Sequence, residues 1–204
     1  MEIINPYYEI KTPINREEIY KRLELFGRTA YKSEDLITES SAEKFLASIV
    51  KRGHESVLEH VSITVRFVCD RGVTHEIVRH RLVAYTQEST RYCDYSKKGV
   101  TFIRPPFWPE GSAQEIMWKS TMFGCASTYE WLIKNGATPQ EARSVLPNSL
   151  KTEIICTANI REWRHILRLR CNRAAHPQMR ELMIPLLKAL KIALPVLFED
   201  IPEE

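Results

Sequence analysis

The chain has 204 residues, of which 44% are hydrophobic and 27% are charged, and its formal net charge is +3. This length can bury a sizeable core, and so small a net charge argues against a protein that binds a polyanion over its whole surface. The sequence contains no internal repeat, low-complexity tract or flexible linker, so we predict a single domain over residues 1–204.

The N-terminus and the cysteines favour a cytoplasmic protein. The first ten residues, MEIINPYYEI, lack the basic start and the apolar run of a signal peptide. No apolar stretch approaches the roughly 20 residues of a membrane span, so we expect no membrane partner. The five cysteines are scattered without a C-x-x-C pair, which predicts reduced thiols rather than a zinc site or a disulfide framework.

The first half of the chain predicts a strand, two helices and a second strand. After the opening strand, NREEIYKRLELFGRTAY is a helix that begins at Asn15 and is weakened near Gly27. In SSAEKFLASIVKRG, Ser40 and Glu43 have the spacing of a capping box, and Gly53 is a suitable C-terminal stop. HVSITVRFV alternates apolar and polar residues, which is typical of a half-buried strand.

The second half predicts helices separated by another strand. A long helix is expected within residues 112–134 and ends before Gly136. TPQEARSVL predicts a short helix capped by Thr138, with Glu141 as the capping-box partner. LKTEIICTA is a second alternating strand, and Asn159 begins the next helix.

The C-terminal segment PQMRELMIPLLKALKIAL predicts a last, apolar helix. It should be interrupted or kinked at Pro185, because proline lacks the backbone N–H that a helix interior needs. Helices and alternating strands are segregated along the chain and do not follow a regular βαβ order. This pattern favours an α+β fold with a mainly antiparallel sheet flanked by helices.

Two histidine-containing segments, GHESVLEH and THEIVRHR, suggest a metal site at first sight. A zinc-binding H-E-x-x-H motif places two histidines four residues apart on one helix face. Here His54 and His60 are six apart, and His75 and His80 are five apart, so each pair would lie on different helix faces. We predict no metal site; instead, His60 would end a helix-to-strand turn and His54 would hydrogen-bond the backbone.

The segment RHRLVAYTQESTRY concentrates positive charge and hydrogen-bond donors. It begins with Arg79, His80 and Arg81 and ends with Arg91 and Tyr92, a span of about four turns if it is helical. Guanidinium groups bind phosphates through bidentate hydrogen bonds, so this density of cations indicates an anionic ligand.

The C-terminal third adds further arginines with few acidic residues nearby in sequence. They are Arg161, Arg164, Arg168, Arg170, Arg173 and Arg180. A solvated helix face is one interpretation. The preference for arginine over lysine, and the apolar residues interleaved in HILRLRC, favour a ligand-binding cleft instead. Nucleic acid can supply the anions, and so can a nucleotide beside a dinucleotide cofactor; the sequence contains no glycine-rich phosphate loop.

Together these segments resemble the flavin-dependent thymidylate synthases (ThyX). RHRLVAYTQES fits the family signature R-H-R-x7-S, and STRY matches its continuation. GHESVLEH is similar to the upstream motif, ARSVLP to the Ala-Arg-x-x-Leu-Pro segment, and TANIREWRHILRLR to the Asn-x-Arg helix. Order and spacing agree from about residue 50 to residue 185.

The resemblance implies a flavin site and a nucleotide site. The residues at FAD-binding positions are Ser56, Arg79, His80, Arg81, Gln87, Asn159, Arg161 and His165. The residues at positions that bind the substrate dUMP are Glu76, Arg79, Gln87, Glu88, Ser89, Thr90, Arg91, Arg143 and Arg170. Arg170 also matches the catalytic arginine that favours ionisation of uracil N3.

Three positions depart from the family pattern. His165 stands where many members have asparagine, Glu76 where many have glutamine, and Ala84 where serine is frequent. An imidazole can replace an amide as a hydrogen-bond partner, but its protonation then matters. A carboxylate at position 76 loses two amide donors and adds negative charge near an anionic nucleotide.

Methylation of dUMP needs a nucleophilic uracil C5, a one-carbon donor and a reductant. Other thymidylate synthases add a cysteine to C6, but neither Cys93 nor Cys171 has an obvious base beside it in the sequence. Activation would then be electrostatic, with an arginine against the pyrimidine carbonyl and N3. Ser89 as a nucleophile is less favoured than Ser89 as a contact to phosphate or base.

We therefore predict a FAD-dependent thymidylate synthase, with NADPH as reductant and 5,10-methylenetetrahydrofolate as one-carbon donor, as the resemblance implies. The alternative is a nucleic-acid-binding module that uses the arginine-rich C-terminal third; the enzyme itself needs no nucleic acid. The resemblance also implies a homotetramer with shared sites. Residues 76–91 would serve two ligands, more than one helix face can offer to one site, which likewise favours a closed oligomer.

Overall fold

The computed structural model describes residues 1–203, which form a mixed α and β structure. The strands are β1 (Glu2–Ile4), β2 (Tyr7–Ile10), β3 (Ser62–Asp70), β4 (Ala84–Gln87), β5 (Thr101–Ile103) and β6 (Lys151–Asn159). The helices are α1 (Arg16–Thr29), α2 (Ser41–Lys51), α3 (Arg71–Ile77), α4 (Ala113–Lys134), α5 (Pro139–Ala142), α6 (Ile160–Arg170), α7 (Pro177–Ala193) and α8 (Pro195–Phe198). Short 3-10 helices cover Glu34–Leu36, Glu55–His60, Tyr95–Lys97 and Arg143–Val145.

The strands form two sheets. The larger has the order β2-β3-β6-β4, and β1 pairs in parallel with β5, with Glu2 opposite Thr101. In β6 every second side chain is buried, as the alternating sequence predicts, and β3 shows the same alternation up to Arg66 but is buried on both faces from Phe67 to Asp70. The predicted α+β class with an antiparallel sheet flanked by helices is confirmed.

Contacts divide the chain into two units. The first comprises Met1–Tyr8, Arg66–Arg79 and Tyr85–Ile155, and the second comprises Glu9–Val65, His80–Ala84 and the described chain from Cys156 onward. The single domain predicted from the sequence stays a prediction. In the first unit, one face of α4 packs against Phe102 of β5 and Leu150, and the buried members of this cluster include Met122, Ala126 and Tyr129.

In the second unit, helix α6 is anchored at its start and along its buried face. The Asn159 side chain accepts a hydrogen bond from the Glu162 N–H at 2.9 Å, which caps the helix as predicted. The Trp163 indole N–H donates to the Ile63 carbonyl at 2.9 Å, and the Ile160 N–H donates to the Val61 carbonyl at 2.9 Å. These contacts fix which side chains of α6 face the interior.

Several local predictions are confirmed. Asn15 caps α1, Gly136 follows α4 with a φ of 92°, and the Glu141 carboxylate accepts from the Thr138 N–H at 2.8 Å. Helix α1 continues through Gly27, where an added Cβ would lie 2.6 Å from the Phe45 ring. A larger residue at this position would require the Phe45 ring of α2 to move.

The predicted capping box of α2 is wrong. Ser40 makes no side-chain cap, and the neighbouring Ser41 hydroxyl accepts from the Thr38 N–H at 2.9 Å and donates to Glu24 at 2.9 Å.

Helix α7 is not interrupted at Pro185 and is followed by α8, whereas the alternative outcome, a kink at Pro185, stays a prediction. Its buried leucines and methionines pack along its length, and this packing outweighs the single backbone hydrogen bond that proline removes.

The signature segment is not a helix either. Helix α3 ends at Ile77, a turn follows, and the chain enters β4 at Ala84. The Tyr85 hydroxyl donates to the Ile77 carbonyl at 2.6 Å and closes this turn. The residues at the start of the signature therefore project from a turn and those at its end follow a strand.

Two of the C-terminal arginines, Arg164 and Arg168, share acidic partners that are distant in sequence. Arg164 is fully buried; its Nε donates to Glu55 at 3.0 Å, and its two terminal nitrogens donate to Asp200 at 2.7 Å. Arg168 reaches the same two carboxylates from an exposed position. Burial alone would raise the pKa of Asp200, but its hydrogen bonds and ion pairs with these arginines outweigh burial and lower it. Arg164 is thus a structural residue rather than a ligand contact.

Within residues 1–203, none of the helices combines the length and the apolar composition needed to cross a bilayer.

Replacing Arg164 by alanine should lower the free energy of unfolding by about 3 kcal/mol, because it leaves two carboxylates without their buried partner. Arg168→Ala is the matched control: it loses contacts to the same carboxylates, but its side chain is 39% exposed, so the loss should stay below about 1 kcal/mol. Urea titration of both variants at one protein concentration measures the difference. Equal losses would show that burial does not strengthen the Arg164 contacts.

Candidate active site

The second unit contains a cavity that collects several residues of the resemblance. Its volume is about 520 Å³, and it is lined by Glu59, Leu82, Asn159, Arg161, Glu162 and His165. Asn159, Arg161 and His165 are at positions that the resemblance assigns to FAD. Helix α6 and the residue that caps it supply four of the six lining residues, because its first turns face the cavity.

His80 and Arg170 contact each other next to this cluster. The Arg170 Nε–H donates to His80 Nε2 at 2.9 Å. His80 is 6% exposed, and its ring packs edge-on against the His165 ring with the centroids 5.8 Å apart. Burial, followed by the positive charge of Arg170 and the nearby His165, lowers the pKa of His80 to about 4. His80 is therefore neutral near pH 7 and accepts a hydrogen bond from a cation.

Glu162 completes this group, and the sequence reasoning did not include it. Its carboxylate Oε1 lies 3.7 Å from His80 Nδ1, and the residue is 7% exposed. Burial raises the pKa of Glu162, against the opposing charges of His165 and Arg161. A ligand-type atom from each of His80, Glu162 and His165 lies within 4.8 Å of the others, a composition that metals accept. The Arg170 cation hydrogen-bonded to His80 disfavours a second positive charge there.

A second cavity of about 350 Å³ includes Ser56 and His54 in its lining. Arg161 borders this cavity as well as the first, and its Nη1 pairs with Glu59. His54 Nδ1 lies 3.1 Å from the Tyr31 hydroxyl, so its ring contacts a side chain rather than the backbone expected from the sequence. Ser56 and Asn159 thus belong to cavities that share Arg161.

The first unit brings two of the predicted nucleotide residues together. Arg143 Nη1 donates to the Thr90 hydroxyl at 3.1 Å. Both residues line a cavity of about 340 Å³ that also includes Arg71 and Ser144. Two guanidinium groups and a hydroxyl are suitable donors for a phosphate. Arg71 was missed in the sequence, where it follows β3 outside any recognised motif.

Gln87 and Glu88 have partners within the first unit. The Gln87 amide donates to the Thr74 hydroxyl at 3.0 Å and to the Thr152 hydroxyl at 3.4 Å. Glu88 accepts from the Tyr95 hydroxyl at 2.7 Å and pairs with Lys151 at 3.1 Å. These contacts give both side chains a role in the packing of β4 against β6.

The remaining predicted residues are in turns, except Glu76, which belongs to α3. Ser89 Oγ accepts from the Arg91 N–H at 3.3 Å, a local turn contact that supplies no base for a nucleophile. The Arg91 guanidinium lies over the Tyr92 ring, with its carbon 5.5 Å from the ring centroid. Glu76 is half-buried near the end of α3, whereas Arg79 and Arg81 are exposed on either side of buried His80.

Comparison with known proteins identifies the class. The sequence profile of the family described as "Thymidylate synthase complementing protein" matches residues 15–196. The chain is 35% identical to a flavin-dependent thymidylate synthase of Geobacter sulfurreducens over 165 residues, which cover 80% of this chain and 71% of that protein. The enzyme of Pyrococcus furiosus is 36% identical over 168 residues, covering 81% of this chain and 69% of that protein. The chain therefore belongs to the flavin-dependent thymidylate synthase family.

The fold is also found in solved structures. The UMP/dUMP methylase PolB from Streptomyces cacaoi, bound with 5-Br UMP, matches with a TM-score of 0.79 at 19% identity, covering 98% of this chain and 95% of that one. A second structure of PolB, bound with 5-Br dUMP, gives the same TM-score at 22% identity, covering 98% and 96% of the two chains. At this level of identity the likeness shows a shared fold.

The neutral state of His80 should be visible in a titration. We expect its imidazole to take up a proton near pH 4, and the pKa to rise in Arg170→Ala, although burial keeps it below the usual 6.5. Between pH 6.5 and 4 the unfolded chain binds a proton that the folded chain does not. The free energy of unfolding therefore rises with pH across this window, by about 1.4 kcal/mol per unit of pKa shift.

Nitrogen-15 NMR of labelled histidine measures the pKa, and urea titrations at several pH values measure the slope. His80→Gln is the control and should lose the part of the slope that His80 contributes. An unchanged slope in His80→Gln would assign the pH dependence to other groups.

Proposed function

We propose that this protein is a flavin-dependent thymidylate synthase that converts dUMP to dTMP by reductive methylation. The observation that carries the proposal is the contact between Arg170 and neutral His80. His80 also contacts His165, which lines the 520 Å³ cavity together with Asn159 and Arg161. In a chain of this family, a cation held next to a cavity with uncharged and cationic donors suits both an anionic cofactor and a pyrimidine ring.

The residues of the second unit fit FAD. FAD has two bulky ends, the flavin and the adenosine, which are joined by a pyrophosphate. Arg161 borders both the 520 Å³ and the 350 Å³ cavity, so its guanidinium can contact the pyrophosphate of an FAD that occupies both. Asn159 uses its side-chain oxygen to cap α6 and also lines the first cavity, so its NH₂ group can serve as a donor to a ligand there. When bound, FAD reduced by NADPH supplies the hydride that the methyl group requires.

The residues of the first unit fit the phosphate of dUMP. Arg143 and Arg71 border one cavity with the hydroxyls of Thr90 and Ser144. The Arg143–Thr90 hydrogen bond orients the guanidinium before a ligand arrives. PolB, which shares the fold, was solved with nucleoside monophosphates, and this supports a nucleotide as substrate.

Activation of the uracil is assigned to Arg170. Burial raises the pKa of Cys156 to about 12 and that of Cys171 to about 11, so these thiols stay protonated near neutral pH and are poor nucleophiles. Arg170 is at the C-terminal end of α6, where the helix dipole favours a cation. Its planar group can stabilise negative charge that develops on the pyrimidine carbonyl and N3. The one-carbon unit comes from 5,10-methylenetetrahydrofolate.

A homotetramer is part of the proposal, and helix α4 supports it. One face of this helix packs in the core of the first unit, yet Ile116, Phe123 and Trp131 are 57%, 62% and 62% exposed on another face. Their spacings of seven and eight residues place them on one stripe. Between them lie Ser120, Gly124 and Ser127, which are small enough to let a second copy of the helix approach closely.

Disrupting this stripe should dissociate the protein. Trp131→Glu places a charge in the proposed interface, so we expect light scattering at micromolar concentration to fall from about four chain masses to two or one. Ile192→Glu is the control, because Ile192 is 77% exposed on α7 and should tolerate a charge. A wild-type protein with the mass of one chain would contradict the tetramer.

A direct test distinguishes the enzyme from a nucleic-acid-binding module. Purified protein should show flavin absorption and should form dTMP from dUMP only when NADPH and methylenetetrahydrofolate are both present. A module that binds nucleic acid through its arginines has no reason to carry flavin. Colourless protein that regains neither flavin nor activity after incubation with FAD would overturn the proposal.

Substitutions of Arg143 and Arg170 should affect different steps, dUMP binding in the first case and methylation in the second. Arg143→Ala removes a charge-assisted phosphate contact worth roughly 1.5–3 kcal/mol, so the dissociation constant for dUMP should rise about ten- to hundredfold. Arg170→Lys keeps the charge but loses the planar fork, so it should slow methylation more than it weakens dUMP binding. Reduction of FAD by NADPH should stay near normal in both variants.

Titration of flavin absorbance measures dUMP affinity, and single-turnover dTMP formation measures the methylation step. If Arg170→Lys forms dTMP at the wild-type rate when saturated with dUMP, another residue activates the base.

A further inference from the structure

Glu162 is a largely buried residue at the wall of the 520 Å³ cavity, and the proposed reaction gives it no role so far. It lies in the first turn of α6, three residues after the cap Asn159, and its carboxylate turns inward to 3.7 Å from His80 Nδ1. Arg170 ends the same helix. Eight residues of helix separate Glu162 from Arg170, about 12 Å along the axis. The His80 ring bridges the two ends of α6.

The contact with Arg170 determines the tautomer of His80. Arginine offers only N–H donors, so the Nε2 atom that accepts from Arg170 must carry a lone pair. The neutral ring then has its single proton on Nδ1, the nitrogen that faces Glu162 Oε1. At 3.7 Å the attraction between this N–H and the carboxyl oxygen is electrostatic, and the buried surroundings strengthen it.

The opposite tautomer of His80 would be unfavourable at both ring nitrogens. Its Nδ1 lone pair would face the oxygen of Glu162, and its Nε2–H would face the Nε–H of Arg170. The other charged or titratable groups around Glu162 are His165 and Arg161, and both oppose the effect of burial on its pKa. Glu162 and Arg170 thus select the same tautomer from opposite sides of the ring.

We propose that Glu162 is a positioning residue that orients Arg170 through His80. It holds the imidazole in the tautomer whose Nε2 accepts from the arginine, and this acceptor helps to orient the guanidinium. The inference rests on the proposed role of Arg170 in activating dUMP. In this proposal Glu162 affects the reaction through His80 and Arg170, without itself contacting substrate or cofactor.

The test combines a spectroscopic readout with kinetics. In wild-type protein, nitrogen-15 shifts of labelled His80 at pH 7 should report a protonated Nδ1 and an unprotonated Nε2. Glu162→Gln can present either an acceptor or a donor to Nδ1, so the shifts should move towards a mixture of tautomers. The kcat for dTMP formation should fall about ten- to hundredfold, as for other residues that orient a functional group, while the KM for dUMP stays within threefold.

Glu43→Gln is the matched control. Glu43 occupies the corresponding first-turn position of α2, is exposed, and interacts with its helix dipole as Glu162 does. It should change neither the His80 shifts nor kcat. If Glu162→Gln does not fold, Glu162→Asp keeps the charge in the helix first turn with a shorter reach and should show a smaller change in the same two readouts.

A double variant tests the route through Arg170. Because Glu162 acts through the arginine, Glu162→Gln should change kcat less than twofold in an Arg170→Lys background. Additive losses would overturn the proposal, and so would a fall in kcat with unchanged His80 shifts or changed shifts with normal kcat. The tautomer measurement needs no turnover, so a protein without synthase activity would refute the proposed function while the contact between Glu162 and His80 is still tested.

Discussion

The rotation of helix α6 about its axis is the constraint on which the candidate site depends. Arg164, buried on this helix, is held by Glu55 and Asp200, and Trp163 beside it is held by the Ile63 carbonyl. Because consecutive residues point about 100° apart, these two contacts also determine where the other side chains of the helix point. The ion pairs of Arg164 therefore support function without contacting a ligand.

Arginines of similar sequence context have different roles in this protein. Arg164 is surrounded by protein carboxylates and needs no ligand to neutralise it, whereas the Arg170 Nε–H donates to a neutral histidine. The same contrast separates Arg168, which shares the carboxylates of Arg164, from Arg143, which contacts a hydroxyl. Buried carboxylate partners thus give a guanidinium a structural role that the sequence alone does not reveal.

Neutral His80 explains how the half-buried Arg170 cation can lie close to two histidines. A protonated His80 would repel Arg170 and the neighbouring His165, and burial penalises the charged ring further. Kept neutral, the ring serves as an acceptor for Arg170 and as a donor towards Glu162. Position 165 is also where this chain has histidine instead of the asparagine common in the family, so the site concentrates titratable groups around one hydrogen-bonded contact.

The linear sequence was sufficient to predict the helix caps at Asn15 and Asn159, the strands β3 and β6, the α+β class and, through its motifs, the family. These features depend on neighbours a few residues apart, so their physical causes are visible in a linear pattern. The three-dimensional structure was needed to show that the signature is a turn and a strand, that Arg164 is structural, and that Glu162 and Arg71 border the candidate sites. Arg164 and Asp200 are 36 positions apart, and His80 and Arg170 are 90 apart. Such pairings are set by packing in three dimensions, because local propensity carries no information about which distant side chain will neutralise a charge or fix a tautomer.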